Sequence, residues 1–74
     1  MCRVRVKVEK RKVGAIFTEQ VPEDGDRINL TGKGLPGGAG AFRITDRHGH
    51  GDSICIATER VGGIIPGKMV LELT

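Results

Sequence analysis

The chain has 74 residues, is 38% hydrophobic but only 3% aromatic, and carries a net charge of +3. A chain of this length has room for one domain, residues 1–74, and buries only about 60% of its unfolded surface; its longest apolar run is four residues, against the roughly 20 of a membrane-spanning helix, which excludes such a span. Two cysteines allow one disulfide at most, and no signal-peptide pattern marks the N-terminus, so a reduced setting is expected, cytoplasmic or within an intracellularly assembled particle.

From the N-terminus, Cys2 to Glu9 alternates apolar and charged residues, which predicts a strand with Cys2, Val4, Val6 and Val8 on one face. Lys10-Arg11-Lys12 reads as the turn of a hairpin, leading into a strand over 13–18 with Val13, Ala15 and Phe17 inward. Val21 to Asp26 carries Pro22 and Gly25 and predicts a turn, followed by a short strand over 27–31 with Ile28 and Leu30 inward. Residues 32–40 hold five glycines and a proline and predict a mobile loop. Short strands over 41–45 and 53–58 follow, separated by a polar loop over 46–52. A second glycine turn spans 61–68, and a last strand covers 69–73 with Met69, Leu71 and Leu73 on one side. About six short antiparallel strands with glycine-rich loops predict an all-β fold, a small barrel or sandwich.

Several local patterns invite chemistry. Gly32-Lys33-Gly34-Leu35-Pro36-Gly37 matches a dinucleotide-binding fingerprint, but that mechanism needs a helix N-terminus in a strand–helix–strand unit, and a strand follows here. Gly62 to Met69 misses a phosphate-binding loop by one position, with Met69 where a hydroxyl is required and no helix able to follow. Asp46, His48, His50 and Asp52 alternate in a predicted loop and are the candidate metal ligands, with Cys55 a further donor, although structural zinc sites draw ligands from separated segments. Cys2 and Cys55 both fall on predicted strands, where burial as small apolar residues is the expectation. Glu23, Asp24 and Asp26 sit in a turn. No cofactor, catalytic residue or small-molecule substrate is expected.

The run Val21 to Gly38, with Pro22, Gly25, Arg27-Ile28, Leu30 and Gly32-Lys33-Gly34 in order, resembles a segment of the β-sandwich client-binding region of DnaJ-type co-chaperones. The resemblance covers 21–38 and departs from the pattern where Gly40-Ala41-Phe42 replaces the usual Gly-Asp-Leu strand opening. It implies a strand, glycine turn, strand unit and a protein partner.

Charge is unevenly placed: residues 1–12 hold six cations, Arg3, Arg5, Lys7, Lys10, Arg11 and Lys12, against Glu9, while 13–30 are acidic. These six are the candidate contacts for a partner or for phosphate. Lys33, Leu35 and Arg47 are candidate contacts in an interaction loop. With a core this thin, and Ile54 to Ala57 apolar on both faces, the expected function is non-enzymatic: a protein-interaction or structural module, acting as a subunit, decoration piece or adaptor in a homo-oligomeric assembly. The alternative is a nucleic-acid-binding module using the basic first strand, which lacks stacking residues because Phe17 and Phe42 are both needed inside.

Overall fold

A computed structural model describes all residues, Met1–Thr74. There is no helix; six strands, β1 (Cys2–Val8), β2 (Arg11–Thr18), β3 (Arg27–Thr31), β4 (Gly40–His48), β5 (Ile54–Gly62) and β6 (Val70–Glu72), form one sheet in the order β2-β1-β5-β4-β3-β6. The sheet curls into a nearly closed barrel around Val4, Val6, Ile16, Leu30, Phe42, Ile44 and Ile56, all shut off from solvent.

The sheet is mixed rather than wholly antiparallel. β1–β2, β3–β4 and β4–β5 are antiparallel, while β1 pairs parallel to β5 (Val4 beside Ile54, Val6 beside Ile56) and β3 parallel to β6. The physical reason is that β1 spends one edge on its hairpin partner and takes a strand from the far end of the chain on the other. Ile54, Cys55 and Ile56, which look too apolar for one thin core, are all buried within the single chain. The apolar faces of β5 therefore need no second subunit.

The first hairpin turns on Glu9 and Lys10 alone, both at positive φ (48° and 72°), as a two-residue turn matching strand twist requires. Arg11 and Lys12 belong to β2. Register then slips: Lys12 lies opposite Lys7 but Gly14 lies opposite Val6, leaving Val13 as an extra residue. This bulge reverses the alternation. Ile16 points in beside Val4, and Phe17, expected inside, points out beside Arg3 and is half exposed, at 50%.

The loop over 32–39 is tied down rather than free. Leu35 is buried against the core, and the Arg60 guanidinium lies over the Phe42 ring, 4.7 Å from its centroid, while donating to the carbonyls of Pro36 and Gly38 (2.7 Å each) and Ala39 (3.4 Å). Asn29 does the same for the second glycine turn: its amide donates to the carbonyls of Ile65 and Lys68, and its Oδ1 accepts from Ile65 N–H at 2.8 Å. The turn over 22–26 is closed by Asp26 Oδ2 accepting from Glu23 N–H, and is fastened to β4 by reciprocal backbone bonds with Ile44. β4 and β5 run further than the alternation suggests, so Asp46, Arg47 and His48 stand on a strand. β6 is three residues long; Met69 precedes it and is exposed, whereas Leu73 is buried.

Two stability measurements check this register. Ile16→Ala should destabilise by about 2–5 kcal/mol, whereas Phe17→Ala should lose about 1 kcal/mol or less, as partly exposed sites do; the reverse order in chemical denaturation would contradict the bulge. Replacing Glu9-Lys10 by Asn-Gly, residues that accept positive φ, should raise the thermal midpoint by roughly 4–8 °C, corresponding to about 1 kcal/mol at this size.

Candidate interaction surfaces

The barrel wall has one weak seam, where the two end strands of the sheet meet. Ala15 and Thr74 exchange backbone bonds (Thr74 N–H to Ala15 O at 2.8 Å, Ala15 N–H to Thr74 O at 3.3 Å), and Leu73 N–H reaches Thr31 O at 2.8 Å. No ladder joins β2 to β6 beyond that. Because backbone groups alternate in direction along a strand, the N–H and C=O of Phe17 face the same open edge as those of Ala15. Below the zipped end the walls part into a groove of about 660 Å³ lined by Met1, Phe17, Val21, Ile28, Met69 and Leu71. Met69 is 79% exposed. Glu19, Asp26, Arg27 and Lys68 also line it, and none of the four forms an ion pair.

A second, smaller groove of about 350 Å³ lies on the outer face of β1. Pairing fixes its layout: Arg5 stands between Ala15 and Cys55, with His48 beyond Cys55, and Lys7 stands between Lys12 and Ala57, with Asp46 beyond Ala57. Arg3, Arg5, Lys7, Lys12 and His48 line it, and no carboxylate side chain does. Outside it, Asp46 contacts His48 at 3.4 Å, Glu59 pairs with Arg43, and Glu9 follows β1 in the hairpin turn without an ion-pair partner. Of the six N-terminal cations the fold thus gathers four; Lys10 sits in the hairpin turn and Arg11 at the barrel end.

The remaining candidates are dispersed. Lys33 is exposed on the glycine loop, Leu35 is a core residue with no free surface to offer, and Arg47 borders a shallow depression with Glu23, Asp24 and Gly49. Asp46 and His48 stand on β4 while His50 and Asp52 lie in the connection to β5, and no three His, Cys, Asp or Glu side chains come close enough together to hold a metal ion. Cys2 is half-buried and Cys55 buried, both as free thiols. Sequence reasoning missed Phe17 and Met69 as surface residues and His48 as part of the basic face; for Phe17 the available signal was Gly14, an isolated glycine within a strand pattern, which marks a bulge.

Compared with known proteins, the chain matches no family model, no curated protein and no solved structure.

The thiols give a direct check on this placement. A thiol reagent under native conditions should modify Cys2 readily and Cys55 at least tenfold more slowly, with denaturant abolishing the difference; equal native rates would mean that the outer face of β5 is not covered as described.

Proposed function

We propose that this chain is a non-enzymatic structural subunit that assembles with further copies of itself through the open seam. The reading rests on one observation: the barrel closes over Ile54, Cys55 and Ile56 of β5 but leaves Met1, Phe17 and Met69 exposed above a half-buried floor of Val21, Ile28 and Leu71 at the gap between β2 and β6. An apolar groove with polar residues among its walls is the composition of a contact surface. The charges favour a second copy as the occupant. Two acids, Glu19 and Asp26, and two bases, Arg27 and Lys68, share the groove without ion-pair partners, so a two-fold repeat could set the acids of each copy against the bases of the other. The unpaired edge at Phe17 adds backbone groups able to extend the sheet across such a contact.

Size exclusion with mass detection should find a dimer or larger species at micromolar concentrations. Met69→Asp should weaken association by tenfold or more while changing the thermal midpoint of the dissociated chain little, since the side chain is mostly solvent-exposed. A monomer at every accessible concentration, or a Met69→Asp variant that associates as the parent does, would overturn the reading.

A further inference from the structure

Separately from the seam, we infer that the outer face of β1 binds single-stranded nucleic acid, with Arg3, Arg5, Lys7 and Lys12 on the phosphates and Phe17 as the platform for a base. Alternate residues on one strand face are about 6.7 Å apart and the neighbouring strand adds a row about 4.8 Å away. Arg3, Arg5 and Lys7 therefore form a straight cationic row along β1, with Lys12 beside its far end. No carboxylate side chain lines this groove, and Glu59, on the neighbouring β5, is paired with Arg43. Four cations gathered in a groove with no carboxylate side chain repel one another until a polyanion neutralises them, and a strand of cations suits a chain of phosphates better than a single compact anion.

Phe17 turns this from charge alone into recognition. The bulge at Val13 places its ring on the outer surface, directly across from Arg3 and half exposed. A base can stack on it only if it is free of a duplex, and base–aromatic stacking tolerates any sequence. The occupant indicated is a single strand, bound with little sequence preference. An acidic protein or an anionic membrane would use the same cations, and the competition experiments below separate these from a single strand.

Fluorescence anisotropy with labelled oligothymidylate tests this. The parent chain should bind with a logarithmic salt slope of about −3, as expected for four phosphate contacts on a single strand. Arg5→Glu should weaken binding at least tenfold and flatten the slope, whereas Lys33→Glu, the same charge change on the glycine loop, should alter it twofold or less. Phe17→Ala should weaken binding about tenfold with the slope unchanged. At chain concentrations low enough that both are dissociated, the Met69→Asp variant should bind as the parent does, so this result stands apart from self-association. Circular dichroism confirms that each variant is folded, and Arg3→Glu serves if Arg5→Glu is not. Absence of binding at low salt overturns the inference. So does equal affinity for duplex DNA together with an indifferent Phe17→Ala variant, or equally effective competition by polyglutamate or by vesicles rich in phosphatidylserine.

Discussion

The structure depends on the closure of a single six-stranded sheet by its last few residues. Leu73 bonds to Thr31 on one side and Thr74 to Ala15 on the other, bridging strands at opposite ends of the sheet. The bridge demands close approach. A Cβ at Gly14 would stand 2.9 Å from Thr74 O, and one at Gly32 2.9 Å from the Leu73 Cβ; both glycines also sit at φ 145°, so neither position accepts a larger residue without displacing the closing segment. With one aromatic inside, the core is small, and the aliphatic side chains of β1, β4 and β5 are dry only because the ring is shut at this end. Leu35 and the Arg60 clamp cover the interior from the glycine loop.

Closure at Ala15 and parting at Phe17 are two consequences of the same geometry. The reciprocal bonds between Ala15 and Thr74 are those of an antiparallel pair, a register that would set Glu72 opposite Phe17, but there the strands part and β6 keeps only its pairing with β3. Met1, Phe17 and Met69 gather at this gap, while Val61, Ile64 and Val70 are exposed outside the groove.

Local alternation made β1 legible, because its two faces differ at every residue from Cys2 to Val8. The inversion within β2 was harder to see: Val13, Ala15 and Phe17 alternate as an inward face would, and only Gly14 hints that a residue is bulged out of register. The parallel pairing of β1 with β5 leaves no local trace, since Val4 and Ile54 are partners through the fold and not through any turn between them. For the same reason Arg60 reads as an ordinary exposed cation and Asn29 as an ordinary strand residue, although each fastens a loop distant in sequence. The four cations of the basic face were readable as charge. That they share a groove with no carboxylate side chain was not, because it depends on which strands flank β1.

The seam and the basic face share a border. Arg3 and Phe17 are cross-strand neighbours, with Arg3 lining one groove and Phe17 the other. A base stacked on the Phe17 ring and a second copy seated in the seam would contend for the same aromatic surface, and thermodynamic reciprocity requires that each then weaken the other by the same factor. Charge acts in the same direction. Two copies joined at the seam bring two cationic faces nearer together, and repulsion between them falls as phosphates neutralise either one. The sign of the coupling between assembly and nucleic acid is set by which term is larger: competition for one ring, which salt leaves untouched, or relief of repulsion, which salt screens.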